Sequence, residues 1–335
     1  MRSWHIDAFG RQHLAMREVA TPIPGPGQAL IRIAAASLNY RDLLIVDGTY
    51  DPRMRLPLIP LSDGAGVVAA VGDGVTRVAV GDRVAPIFMP GWHDGDNAEG
   101  RPSLGGPLPG VAAEYHQCSA EDVVRLPAEL SWAEAATLPC AAVTAWHALF
   151  GHARVTPGAR VLILGTSGVA LFALQFAKLA GAEVAITSSR DDKLERARAL
   201  GADHTINYSS DHDWGVTARR LFGDGADVVL ELGGGGTIAQ SARAVRRGGS
   251  VLLIGSVTGG RAVGLDLVPV FMRGVRLQGV SVGPRDAFAA MLRAIARHRS
   301  RPVIDSTFAF DRLPDALAYL AGGGQFGKVV VTIGD

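Results

Sequence analysis

Four small residues, Gly165, Thr166, Ser167 and Gly168, carry the most legible chemistry in this chain. They follow a branched apolar run at 161–164 and open an almost wholly apolar stretch that ends at Gly181, the pattern of strand, turn and buried helix. Small residues at such a turn let a pyrophosphate approach the backbone, and the N–H groups and positive dipole of the helix start attract its charge. Ser167 and Ala170 stand where the G-x-G-x-x-G pattern has its second and third glycines, so the turn by itself is a weak signal. The flanking strand, the helix and a second strand at 184–187 make a dinucleotide site the stronger reading, with Gly165, Ser167, Gly168 and Val169 assigned to it. The tip of that second strand reads Ser188, Ser189, Arg190, with Lys193 beyond. An acid there would accept from a ribose 2′-hydroxyl and repel a 2′-phosphate, whereas hydroxyls and cations suit the phosphate; NADPH is expected over NADH.

A second group lies in the stretch 36–50, where Asn39, Tyr40, Arg41, Asp42 and Tyr50 fall close together. Cys118 and Cys140 are the only cysteines, too few for a disulfide framework or a four-cysteine zinc lobe, and they fit a reducing cytoplasm. A formal net charge of +1 without a basic run argues against a nucleic-acid surface. No apolar run approaches the ~18 residues of a membrane span, and the first residues lack the continuous apolar core of a signal peptide.

The elements that must position these groups follow from pattern. A length of 335 residues with 48% hydrophobic residues and 42 Gly implies two packed domains with many tight turns. Residues 1–35 and 64–87 read as short strands separated by Pro/Gly and Gly-Asp turns, a compact barrel-like antiparallel part. Between them and the strand-like 111–126, residues 89–110 form a long Gly- and Pro-rich loop with Trp92, His93 and Asp94, expected to act as a lid or pocket wall. Ser131 and Glu134 form a capping box, and the helical runs after them are expected to break at Pro139. From Arg160 onward, strands near 161–164, 183–187, 203–206, 227–231, 250–254 and 275–280 alternate with helices, as in a doubly wound parallel sheet. The run Gly233–Gly236 and Gly255-Ser256 each follow a strand's C-terminal end, where ligands of such sheets bind. An amphipathic helix at 286–298, a second near 312–321 and a final strand in GQFGKVVVTI complete the chain.

These motifs together (PGPGQALIRIAAASLNYRDL, PLIPLSDGAGVV, GDRV, LPCAAVTAWHAL, the glycine turn, KLERARALGADHTINY and GKVVV) span nearly the whole sequence. On them the chain resembles the medium-chain dehydrogenase/reductase superfamily, and most closely its zinc-independent quinone oxidoreductase-like branch. The resemblance implies an α/β protein: a GroES-like β-barrel catalytic domain over 1–130, a Rossmann domain with a doubly wound parallel six-stranded sheet over 131–284, and a tail, 285–335, that rejoins the first domain. It places the active site in the cleft between domains.

The zinc-dependent relatives ligate catalytic metal through a Cys, a His and a second Cys, positions that here look like Asn39, Ser62 and Cys140. One ligand in three cannot hold Zn²⁺ tetrahedrally, so no zinc is expected; a nonstandard site of His93, Asp63 and Cys140 is the alternative. The relatives' proton-relay position is taken by Arg41. By resemblance Asn39, Tyr40, Asp42 and Tyr50 surround the substrate, with Tyr50 as proton donor. Thr144, Tyr208, Gly255, Ser256, Val280, Ser281, Val282 and Lys328 join the cofactor site, Lys328 by reaching the cofactor phosphates. The expected activity is NADPH-dependent hydride transfer to a quinone or an α,β-unsaturated carbonyl, whose developing negative charge hydrogen-bond donors can hold without a metal. The alternatives are an alcohol or aldehyde oxidoreductase with no metal or an unusual one, and an NADPH-binding sensor or structural protein with little catalysis. The implied partners are a small electrophile and, as in many relatives, a second copy of the chain.

Overall fold

The computed structural model describes residues 1–95, 100–262 and 264–334. They form two compact units, one made of Met1–Val143 with Val282–Asp335 and the other of Thr144–Ser281.

In the first unit the long strand Gln28–Leu38 is central. It pairs antiparallel with Asp63–Val71 and Tyr115–Ser119, and the sheet continues through Arg83–Pro86 to Val123–Arg125. On its other side lies the tail strand Lys328–Thr332, paired Val329 to Leu38 through Thr332 to Ala35, with Ile304–Ala309 beyond. This GroES-like unit closes over Ile31, Ile33, Leu38, Val68, Val84 and Val331, all fully or almost fully buried. The alternation of the central strand sends these side chains to one packed interior, while the tail helix Leu313–Ala321 adds Leu313 and Leu317 to the same core.

The first unit extends past position 130, as far as Val143. Ser131 and Glu134 cap the helix Trp132–Ala136 reciprocally, and the chain then runs through a π-helical turn, Leu138–Ala142. Pro139 does not end the helical path as expected, because it sits in the first positions of that turn, where a missing N–H leaves no bond unmade. What ties this stretch to the barrel is Asp63, whose Oδ2 accepts from the Cys140 N–H at 3.2 Å.

The second unit is a parallel sheet of six strands in the order His204–Asn207, Glu183–Ser188, Arg160–Leu164, Ala226–Glu231, Val245–Leu253, Arg276–Gly279. The chain therefore leaves the first strand toward one edge and returns toward the other, the doubly wound Rossmann arrangement. Val161, Leu162 and Ile163 are covered on both faces, which is why these strands read as continuous apolar runs. The helix Gly168–Leu179 is buried from Ala170 to Leu174 for the same reason.

Candidate active site

The first unit gathers Asn39, Asp42, Ser62, Asp63 and Lys328 beneath the end of its central strand. Asn39 leads into the helix Tyr40–Val46, and its N–H donates to Asp42 Oδ2 at 2.7 Å. The register of the tail strand sets Lys328 beside this turn, where its ammonium donates to Leu38 O and to Asn39 Oδ1, both at 2.6 Å, and stands 4.0 Å from Asp63 Oδ2. Asn39 Nδ2 donates to Ser62 Oγ at 3.3 Å, and Ser62 Oγ donates to Asp63 Oδ1 at 3.0 Å. Asp42, Asp63, Ser62 and Lys328 are each at most 3% exposed. Burial pushes the Asp42 carboxyl up to about 6, against the pull of Arg41, the Asn39 N–H and Lys328. Burial likewise raises Asp63, opposed chiefly by Lys328, and it raises the Cys140 thiol far above its ordinary value.

This donor set does not fit a tetrahedral zinc ion. Asn39 and Ser62 offer only neutral oxygens and nitrogen, one thiol remains of the three ligand positions, and the Lys328 ammonium lies among them. The alternative trio does not form either, because His93 Nε2 shares a hydrogen bond of 2.9 Å with Asp122 Oδ1, away from Asp63 and Cys140. Among the described residues, no group of three or more His, Cys, Asp or Glu is placed to hold a metal.

The aromatic candidates stand apart from the buried knot. Tyr40 is 44% and Tyr50 is 51% exposed. Arg41, at the relay position of the resemblance, does structural duty: it donates to Leu104 O at 3.0 Å, and to Ser103 Oγ and Gly106 O at 2.9 Å. Its guanidinium lies 5.1 Å from the Tyr50 ring centroid and 4.8 Å from that of Phe88, so Tyr50 rests on a pinned cation. The long loop is bound inward at both described ends. Trp92 is fully buried, Asp122 accepts from the Gly91 N–H at 2.7 Å, and Arg41 holds the turn at 103–106; positions 96–99 of that loop lie outside the described residues.

Of the residues assigned to substrate, then, Asn39 and Asp42 are joined to each other inside the fold, whereas Tyr50 has an accessible face. Asp42, buried and bonded to the Asn39 backbone, braces the turn and is not placed to touch a ligand. Lys328, expected at the cofactor phosphates, turns its ammonium into the first unit, since a buried lysine must find acceptors and Leu38 and Asn39 supply them.

In the second unit the glycine turn is open. Gly165 has φ +78°, a conformation that favours glycine, and a Cβ there would meet nothing within 4 Å. Ser167 precedes the helix Gly168–Leu179 and makes no side-chain cap, leaving the helix-start N–H groups for a ligand. These features fit a pyrophosphate. At the tip of Glu183–Ser188, Ser188 is buried and its carbonyl accepts from the Tyr208 N–H at 3.1 Å, which brings Tyr208 beside Ser189 and Arg190. Arg190 faces Asp192 in a bidentate pair of 2.9 and 2.8 Å, an exposed contact that a phosphate can outcompete, and Lys193 is buried by its helix. Gly255 and Ser256 follow Val245–Leu253, with Val280 donating to Leu253 O at 2.9 Å. Thr144 and Ser281 are the end residues of this unit, and Val282 packs with the other.

Sequence reasoning missed Glu231. Fully buried at the end of Ala226–Glu231, its Oε1 accepts from the N–H groups of Gly233 and Gly234 at 2.7 and 2.9 Å and from Thr237 Oγ1 at 2.6 Å, while Oε2 accepts from Ser241 Oγ. The available signal was an acid closing a buried strand ahead of a glycine run.

Comparison with known proteins agrees with this architecture. Residues 25–128 match the alcohol dehydrogenase GroES-like domain, and residues 168–297 match the zinc-binding dehydrogenase family. A crystal structure of an NAD-dependent alcohol dehydrogenase superposes with a TM-score of 0.92 at 33% identity, covering 100% of both chains. A 2-octenoyl-CoA carboxylase reductase in complex with NADP and 2-octenoyl-CoA gives 0.88 at 26% identity, covering 99% of this chain and 87% of that one. A zinc-type alcohol dehydrogenase-like protein of Schizosaccharomyces pombe is 40% identical over 98% of each sequence, and with it the chain belongs to the medium-chain dehydrogenase/reductase superfamily of nicotinamide-dependent oxidoreductases.

Proposed function

We propose that the protein is a zinc-independent, NADPH-dependent reductase of quinones or α,β-unsaturated carbonyls. The observation that carries this reading is the ammonium of Lys328, bonded to Asn39 among the residues that stand at the zinc-ligand positions. Residues so ill suited to a Lewis acid disfavour simple alcohol oxidation and favour a substrate that delocalises the negative charge it acquires. The absence of an acid at the tip of Glu183–Ser188, with Ser188, Ser189 and Arg190 there instead, supports the 2′-phosphorylated cofactor, and the NADP-bound enoyl-thioester reductase is a relative of that kind.

The cofactor, when bound, supplies hydride. The protein's own contribution is to orient and to protonate. The glycine turn and helix start hold the pyrophosphate, and the Lys328–Asn39–Asp42 knot fixes the first turn of Tyr40–Val46. That helix carries Arg41, which sets the Tyr50 ring from below, and the Tyr50 hydroxyl or a water protonates the enolate or hydroquinone anion. We also propose a homodimer through the edge strand Arg276–Gly279, beside which Leu267, Phe271 and Met272 are each more than 60% exposed.

The test is NADPH oxidation by chelator-treated enzyme with a 1,4-quinone, a short enone and an aldehyde in parallel. Turnover of quinone or enone that survives chelation is expected. Activity confined to the aldehyde and restored by zinc would overturn the proposal in favour of an alcohol dehydrogenase, the activity named for the relative at 33% identity.

A further inference from the structure

The ends of two neighbouring parallel strands in the second unit are knitted together by hydrogen bonds that begin at Glu231. Its side chain takes the four donors described above, and its backbone carbonyl accepts from the N–H groups of Ile254 and Gly255 at 3.0 and 3.2 Å. The segment after Ala226–Glu231 is thereby fixed to the segment after Val245–Leu253. The two are then laced further on: Thr258 N donates to Gly233 O at 2.7 Å, Thr258 Oγ1 donates to Gly233 O at 2.8 Å and accepts from Gly236 N at 2.9 Å, and Gly235 N donates to Gly259 O at 2.7 Å. The packing admits no larger residue, since a Cβ on Gly235 would fall 1.9 Å from Arg261 O and one on Gly234 would fall 2.6 Å from Ser256 Cα.

Backbone approaching backbone this closely leaves one rigid wall at the C-terminal ends of these strands, the side on which such sheets bind ligands. Gly255 and Ser256, assigned to the cofactor, are part of it. We propose that Glu231 is a positioning residue for the nicotinamide cofactor: its carboxylate fixes the Gly233 and Gly234 N–H groups and so presents Gly233 O to Thr258, its backbone carbonyl takes the Gly255 N–H, and the two loops are thereby held as a single preformed surface for the cofactor. It touches no ligand itself, being fully buried. A wall fixed before binding spares the cofactor the cost of ordering two glycine-rich loops, the segments of the chain that lose most freedom on ordering.

The experiment measures binding of NADPH and of NADH to the purified protein by cofactor fluorescence, alongside thermal unfolding. It rests only on the nicotinamide cofactor, so failure to reduce quinones or enones leaves it intact. Glu231→Gln places a donor against donors; cofactor Kd is expected to rise about tenfold or more in protein that still unfolds cooperatively. Thr258→Val keeps the shape and removes the lacing hydroxyl from an exposed loop, so its fold is secure even where Glu231→Gln does not fold. It is expected to weaken cofactor several-fold, and Thr258→Ser, which restores the hydroxyl, to bind as wild type. Wild-type Kd in Thr258→Val, or equal weakening in Thr258→Val and Thr258→Ser, overturns the proposal, as does wild-type Kd in folded Glu231→Gln.

Discussion

Asp63 and Glu231 are both fully buried acids, and the two units satisfy them in different ways. In the first unit Asp63 lies 4.0 Å from the Lys328 ammonium, within a web of side chains drawn from positions 39, 62 and 328 and the backbone N–H of Cys140. In the second, Glu231 accepts from backbone N–H groups and hydroxyls, and its partners among the described residues fall between 233 and 255. A charge balanced by a remote charge depends on the whole barrel being folded, whereas one solvated by nearby backbone depends on a local turn. The first arrangement leans on one cation among its partners; the second spreads the charge over neutral donors alone.

Removing the cation is the severest way to test that contrast. Lys328→Met leaves a buried carboxyl, Asn39 Oδ1 and Leu38 O uncompensated, and a loss of about 3 to 5 kcal/mol in denaturant unfolding is expected, with Lys328→Arg losing less. An unchanged midpoint would show that the knot is not held by charge. Asp42 gives a subtler probe. Its carboxyl rises from 3.8 unfolded to about 6 folded, so the native state binds the extra proton between those values and stability falls as pH rises through them. Asn at this position can still accept from the Asn39 N–H and does not titrate. Between pH 3.8 and about 6, wild type is therefore expected to lose about 3 kcal/mol relative to Asp42→Asn, a cost absent below that window and complete above it. The difference between the two proteins is the quantity to follow, because His116, held down to about 4 by burial, gives a slope of opposite sign in the same range.

In the second unit, cutting one link should cost less. Ser241→Ala removes one of the donors to Glu231, and about 1 kcal/mol is expected from chemical denaturation. A loss as large as that of Lys328→Met would erase the distinction between the units. Smallest in stability is Arg190→Ala, whose exposed pair with Asp192 is screened by solvent, so that the unfolding midpoint should stay at the wild-type value. Its effect belongs to specificity: NADPH affinity should fall about tenfold while NADH affinity holds, and parallel losses for both would remove Arg190 from phosphate recognition.

The same contrast governs what could be read in advance. The glycine turn, the six strands and the Ser131–Glu134 capping box are contiguous patterns, and they stand where spacing put them. Tyr50 and Asn39 could be named, but that Asn39 would be held by a lysine 289 positions away rests on strand register, which no local pattern carries. Arg41 likewise read as a relay replacement, and only the packing of the turn at 103–106 shows it as a staple. Pro139 misled because a proline forbids only the interior of a helix, and the start of a wide turn is not its interior.

The laced glycine wall also bears on how this protein tolerates change. Gly236 and Gly260 are both exposed, and surface position alone would rank them as equally free to vary. A methyl group on Gly236 would lie 2.9 Å from Thr258 Oγ1, while one on Gly260 would meet nothing within 4 Å. In a library of alanine variants the first should be depleted and the second retained, so that the map of forbidden positions on this face follows the path of the lacing and not the depth of burial.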